Sequence, residues 1–305
     1  MSNPNANSLT VSFRGVRGST PAPGDATARY GGNTSCVEVR ADNQVLILDA
    51  GTGIRRLGID LLKEFETSPI EVALLISHTH WDHIQGLPFF APAYSAERKI
   101  RVLAARGAGA ELTRALRNQM EPIYFPVSFD RLPGLMAVEE LASDDVILGP
   151  FRVRVAALNH PGGSTGFRIE ANGGSIAYLP DHEPFENDSA NDALSEFVRE
   201  VDLLILDTQY TETEFQLHRG WGHGCLTNSV ALAINAGVRQ LAFFHHDPER
   251  DDEQIDRMVE CARDLARPVG LTVSAASENE TLAIRNASAP RYSSPLPRMI
   301  TGVPV

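Results

Sequence analysis

A chain of 305 residues, 43% hydrophobic and 22% charged, is long enough to bury one large core or two smaller ones. Its net charge of −12 and pI near 5.2 oppose binding to extended nucleic acid, which needs Lys and Arg against phosphates. Cys36, Cys225 and Cys261 are too scattered for a disulfide framework or a thiolate zinc site, and no apolar run reaches the ~20 residues of a membrane span.

The N-terminus, residues 1–8, reads as a flexible polar segment without the basic and apolar regions of a leader, so a cytoplasmic protein with no membrane partner is expected. A strand at 9–13 leads into a Gly- and Arg-rich stretch, Phe13-Arg14-Gly15-Val16-Arg17-Gly18, followed by Arg29-Tyr30-Gly31-Gly32-Asn33. Strands at 36–40 and 45–49 follow, the second ending at Asp49. A helix covers 54–65, and the apolar strand at 72–77 runs directly into His78-Thr79-His80-Trp81-Asp82-His83. Three histidines and an aspartate within six residues are side chains that hold divalent transition metals. In an extended or turning segment, residues two apart point the same way. His78 and His80 can therefore face one metal, while Asp82 and His83 turn to a second.

The stretches 86–98 and 121–150 are Pro-rich and read as irregular loops over a site, separated by a strand at 99–105 and a helix at 108–120. Strands at 151–157 and 175–179 precede His160 and Asp181, with a further strand at 166–170 between them. A helix at 191–200 and the strand at 202–206 lead to Asp207. Gly220-Trp221-Gly222-His223-Gly224 precedes a helix at 225–236, and the strand at 240–244 ends before His245. A helix at 251–266 opens with an acidic turn that suits its dipole. Strands at 270–276 and 281–285 close a layered α/β domain over residues 9–286, and residues 287–305 form a Pro/Ser-rich tail. A single strand-end His or Asp is more often a turn residue than a ligand. Their repetition after strands, beside the 78–83 cluster, favours a shared site, because two metals need more ligands than that cluster supplies.

In order and spacing, Asp49, His78-x-His80-x-Asp82-His83, His160, Asp181 and His245 resemble the metallo-β-lactamase fold superfamily. The resemblance implies a four-layered αβ/βα sandwich of two mixed β-sheets flanked by helices. It also implies that His78, His80 and His160 hold one metal, that Asp82, His83 and His245 hold the other, and that Asp181 bridges them. Asp49 would support the cluster loop from behind. The Gly/Arg-rich N-terminal segment and the Asp207–His223 pairing look most like the phosphodiesterase branch, which includes tRNase Z and the phosphoribosyl 1,2-cyclic phosphate phosphodiesterases. Asp207 stands where that branch has Glu, and no RNA-grasping arm is evident.

The function so implied is a dinuclear metal-dependent hydrolase, a phosphodiesterase for a small cyclic or nucleotide-like phosphodiester. A metal-bridging hydroxide would attack while His223, oriented by Asp207, protonates the leaving group. The same ligands would also serve a lactone, ester or thioester hydrolase, or a non-catalytic metal-binding accessory protein. Two divalent ions are expected, Zn2+ first, with Mn2+ and Fe2+ also suiting His/Asp ligands. Arg17, Arg29, Tyr30, Asn33 and Trp221 are candidate substrate contacts, with Arg14 a further phosphate-binding candidate, because Arg forks match phosphate oxygens. His182 and His246 adjoin ligands without a required role, and Cys225 reads as a buried helix residue rather than a nucleophile. A small-molecule substrate, no large nucleic acid and a family-level homodimer complete the expectations.

Overall fold

The computed structural model describes residues 8–66 and 70–284. The expected N-terminal segment, apart from Ser8, and the tail at 287–305 lie outside the described residues.

The first half of the chain lays down β1 (Leu9–Gly15), β2 (Cys36–Ala41), β3 (Gln44–Leu48), β4 (Ile70–Leu75), β5 (Arg98–Ala104) and β6 (Leu135–Glu140). The second half builds β7 (Asp145–Leu148), β8 (Phe151–Leu158), β9 (Ser164–Ala171), β10 (Gly174–Leu179), β11 (Leu203–Asp207), β12 (Gln240–Phe244) and β13 (Thr272–Ala275). The last described strand, β14 (Thr281–Ile284), returns to pair with β1. Two seven-stranded sheets result, ordered β14-β1-β2-β3-β4-β5-β6 and β13-β12-β11-β10-β9-β8-β7. Each is mixed: the β3–β6 and β10–β13 pairings are parallel, and the others are antiparallel.

The helices are α1 (Ile54–Glu64), α2 (Trp81–Ile84), α3 (Gly109–Asn118), α4 (Asp188–Phe197), α5 (Glu212–Leu217), α6 (Leu226–Asn235) and α7 (Asp252–Ala266). Three apolar layers separate four layers of secondary structure. Phe13, Leu46, Phe167, Ile205 and Phe244 fill the space between the sheets. Ile47, Leu74 and Val102 meet α1 and α3 through Leu57, Leu61 and Leu116. Leu204, Leu206 and Phe243 meet α6 and α7 through Val230, Met258 and Val259. Successive residues such as Leu46 and Ile47, or Leu204 and Ile205, thus serve opposite faces that are both buried. That is why these strands read as continuous apolar runs rather than alternating ones. The arrangement is the four-layered αβ/βα sandwich expected from the resemblance.

The main departure concerns 121–150. This stretch holds β6 and β7, the outer strands of the two sheets, where a loop was expected. Edge strands bury little, and in Leu-Met-Ala-Val-Glu-Glu of β6 every residue is exposed or half-buried, so the hydrophobic pattern is weak. Neither this stretch nor 86–98 lines the cavity of about 420 Å3 described below, although Asp144 borders another cavity lined by His78 and His80. The short helices α2 and α5 were also not anticipated. Four residues at α2 leave too little periodicity to read. The Thr211–Glu214 capping box that opens α5 was a legible signal.

Candidate metal centre

Each candidate ligand follows the C-terminal end of a strand. The 78–83 cluster comes after β4, His160 after β8, Asp181 after β10 and His245 directly after β12. Rigid strands aim these loops, and local backbone geometry finishes the work. Asp49 and His245 both adopt positive φ, 62° and 59°, which turns the chain sharply at the sheet edge.

Two groups of four potential ligand atoms converge, and Asp181 belongs to both. In the first, His160 Nε2 lies 3.0 Å from His80 Nδ1, and both His160 Nε2 and His78 Nε2 lie 3.7 Å from Asp181 Oδ2. In the second, His83 Nε2 and His245 Nε2 lie 3.0 and 3.3 Å from Asp181 Oδ1, and 3.2 and 3.0 Å from Asp82 Oδ2. Ligands about 2.1 Å from a tetrahedral cation stand about 3.4 Å apart, so these separations fit a metal better than a set of mutual hydrogen bonds. His78 Nε2 and Asp181 Oδ1 are buried without a hydrogen-bond partner, a costly state that a bound cation would relieve. Either group could therefore hold a divalent ion.

In four of the five histidines the other ring nitrogen is pinned. His83 Nδ1 meets Asp49 Oδ2 at 2.8 Å, His160 Nδ1 meets the Gly222 carbonyl at 2.9 Å, and His245 Nδ1 meets Gln209 Oε1 at 3.1 Å. The Ser77 hydroxyl lies 3.0 Å from His78 Nδ1. Such partners fix the tautomer and the ring orientation of a metal-ligating histidine. Asp49 is fully buried and accepts from Ser77 N, Ser77 Oγ and Tyr178 Oη as well as His83. Ser19 N donates to Asp82 Oδ2 at 2.8 Å. Close approach also demands glycine: a Cβ at Gly222 would meet His160 Nδ1 at 2.2 Å, and one at Gly18 would meet His245 Nδ1 at 2.4 Å.

Charge follows the same design. Burial alone would raise the Asp181 and Asp82 carboxyls, but the surrounding imidazoles outweigh it and hold both well below the usual carboxylate range. Burial, reinforced by neighbouring His83, keeps His78 neutral. Beside these ligands, His223 Nδ1 meets Asp207 Oδ2 at 2.9 Å. Burial would depress the His223 pKa, yet the Asp207 carboxylate prevails and raises it to about 9. Asp207 is itself held by the backbone N–H groups of His182 and Gln209. His223 lines a cavity of about 420 Å3 with Ser19, Thr79, His80, Trp81, Asp82, Asp181 and His245.

The structure therefore brings together His78, His80, Asp82, His83, His160, Asp181, His245, Asp207 and His223, with Asp49 behind them. It does not bring the expected substrate contacts with them. Arg17 is fully buried and donates to the carbonyls of Gly31, Asp247 and Arg250, so it ties two loops together and cannot reach a substrate. Arg29 and Tyr30 bond Asp256 on the outer surface of α7. Asn33 is engaged by Glu278, and Arg14 by Glu38 and Asp60. Trp221 is exposed but is not among the residues lining the cavity. His182 and His246 are buried and neutral, their pKa values lowered by burial to about 4 and about 3. Burial likewise pushes the Cys225 thiol up to about 11, which makes it a poor nucleophile.

Several site residues escaped the sequence reading. Ser19, Thr79 and Trp81 line the cavity, and Ser77, Tyr178, Gln209 and Gly222 orient ligands. Thr79 and Trp81 sit inside the motif itself and could have been named. Gln209 and Tyr178 carry no local signal, because their partners, His245 and Asp49, lie far away in sequence.

A β-lactamase superfamily domain matches residues 44–246, more than half of the chain, and the protein belongs to that family. It is a metallo-β-lactamase-fold hydrolase carrying a candidate His/Asp metal cluster. Relatives in sequence include Ribonuclease Z of Thermoplasma acidophilum, 23% identical over 82% of this chain and 90% of its own. Another is an uncharacterized Mycobacterium tuberculosis protein, 27% identical over 92% and 94%. In structure, the chain is similar to the metallo-β-lactamase fold protein YhfI from Bacillus subtilis, with TM-score 0.67, 17% identity and coverage of 90% and 99%. A diphosphatase of the PhnP family gives a TM-score of 0.65 at 18% identity, covering 90% and 97%. Among the described residues, no helix is long and apolar enough to cross a membrane.

Proposed function

We propose that the chain is a dinuclear metal-dependent phosphodiesterase acting on a small cyclic or nucleotide-like phosphodiester. The observation that carries this reading is two ligand groups that share Asp181, beside a cavity whose wall includes Asp181 and His223, the latter paired with Asp207. His78, His80 and His160 would hold one ion, and Asp82, His83 and His245 the other. Asp181 would offer one carboxylate oxygen to each. Zn2+ suits this set, as do Mn2+ and Fe2+. When bound, two such ions supply Lewis-acid polarisation of a phosphoryl oxygen and a lowered pKa for water.

The protein's own part is positioning and proton transfer. Asp207 occupies His223 Nδ1 and leaves Nε2 for the departing alkoxide, an atom that leaves poorly until it gains a proton. A raised pKa keeps that proton on the ring near neutral pH. This is the feature that favours a phosphodiester over an activated lactone or thioester. Relatives named Ribonuclease Z make RNA the competing substrate. A cavity of about 420 Å3 and a net charge of −12 support a small ligand instead.

The test pairs metal analysis with a substrate screen. Zn2+- or Mn2+-loaded protein should contain about two ions per chain. It should cleave bis-p-nitrophenyl phosphate and a cyclic nucleotide faster than a lactone, a β-lactam or a tRNA precursor. A single ion per chain would remove the dinuclear reading. Preference for the lactone or the β-lactam would remove the phosphodiesterase one, and preference for the tRNA precursor would replace the small substrate with RNA.

A further inference from the structure

The chain has two tryptophans, and neither is in a core. Both stand on segments that carry metal-type residues. Trp81 lies between His80 and Asp82, and Trp221 lies one residue before Gly222, whose carbonyl holds His160. Their surroundings differ. Trp221 is 61% exposed, but its ring sits edge-on against His218 at 4.7 Å, and His218 stacks on Tyr210 at 4.8 Å. Trp81 is 78% exposed and lines the metal cavity. Among the described residues its indole has no hydrogen bond and no ring partner. Its backbone is nevertheless fixed, because it opens α2 between two residues drawn into the ligand groups.

A large, rigidly mounted and unpartnered aromatic face beside a reaction site suits a flat aromatic ring, which can stack on it over its whole face. From this placement we infer that Trp81 is a stacking platform for a planar heteroaromatic group, a nucleobase, on the non-reacting end of the substrate. It is a specificity residue: the ligand cluster handles the phosphate, and Trp81 selects what is attached to it. Base–aromatic stacking needs no particular hydrogen-bond pattern, so the platform would accept more than one base. The substrate class named here rests on the phosphodiesterase reading, whereas the stacking itself does not.

Two measurements test this separately. In Trp221→Phe protein, Trp81 is the sole tryptophan fluorophore. Adenosine 5′-monophosphate should quench its emission more strongly than ribose 5-phosphate at the same concentration; equal responses would overturn the inference. In the metal-loaded enzyme, Trp81→Ala should lower kcat/KM for adenosine 2′,3′-cyclic phosphate by roughly 5- to 150-fold and leave the 2′,3′-cyclic phosphate of methyl riboside within about 2-fold. Trp81→Phe should keep most of the preference for the base. Equal losses on both substrates would show that Trp81 merely shapes the ligand loop and would overturn the proposal. If the wild-type enzyme cleaves neither compound, nor bis-p-nitrophenyl phosphate nor any other cyclic nucleotide, the phosphodiesterase reading fails, and the fluorescence comparison alone decides the stacking.

Discussion

Replacing Asp49 probes how the metal loop is held up, because this residue touches the cluster only through His83. Its carboxylate is fully buried and accepts from Ser77 N at 2.7 Å and from Ser77 Oγ, His83 Nδ1 and Tyr178 Oη at 2.8 Å each. Asp49→Ala strands four buried donors. At about 1.5 kcal/mol for each bond to a charged acceptor, the loss is about 6 kcal/mol, comparable to the whole stability of many domains. Asp49→Asn is gentler. Its carbonyl oxygen can still accept from Ser77 N, and the Ser77 and Tyr178 hydroxyls can rotate to accept from the new amide. The Nδ1 proton of His83 cannot adapt while Nε2 serves a metal. That single conflict should cost about 2–3 kcal/mol and weaken metal binding roughly 10- to 100-fold. Urea unfolding followed by circular dichroism measures the stability losses, on chelator-treated protein for Asp49→Ala and on metal-loaded protein for Asp49→Asn, and competition with a chromophoric chelator measures metal affinity. If Asp49→Ala unfolds within about 1 kcal/mol of wild type and binds metal equally well, the reasoning is refuted.

Asp181→Ala removes an oxygen from both ligand groups, so both ions should be lost together; plasma emission spectrometry showing one ion retained at full strength would exclude a shared ligand. His223→Ala should keep its metals but lose roughly 10²- to 10⁴-fold in turnover of alkyl phosphodiesters, and far less with nitrophenyl leaving groups that need no proton. Equal losses on both would contradict an acid role. Gly222→Ala places a methyl group 2.2 Å from His160 Nδ1 at a backbone φ of +87°. It should weaken metal binding while leaving the far-UV spectrum intact, and unchanged metal affinity would show that this loop gives way freely.

The sequence carried the candidate metal residues because their chemistry is local in kind. Few His and Asp follow apolar strands by chance so often, and the 78–83 cluster announces itself at short range. The continuous apolar runs at β3, β11 and β12 likewise signalled sheets covered on both faces. The weak points were β6 and β7, whose half-exposed edge strands carry little hydrophobic pattern. The arginines misled for a different reason. Arg17 has the right chemistry for a phosphate, yet it spends its donors on three carbonyls of its own chain.

What the sequence determined by itself was the list of candidate ligands, the two-sheet layered class and the pairing of an acid with His223. Only the tertiary structure decided which of the polar residues meet. The Asp181 oxygens divide between two candidate ligand groups, Asp49 is enclosed by Tyr178 and Ser77, and Trp81 stays bare at the cavity wall, because the loops that follow β4, β8, β10 and β12 converge from two sheets. Residue type fixes what a side chain can bind. Contacts between segments far apart in sequence, set by strand order and by burial, fix what it does bind.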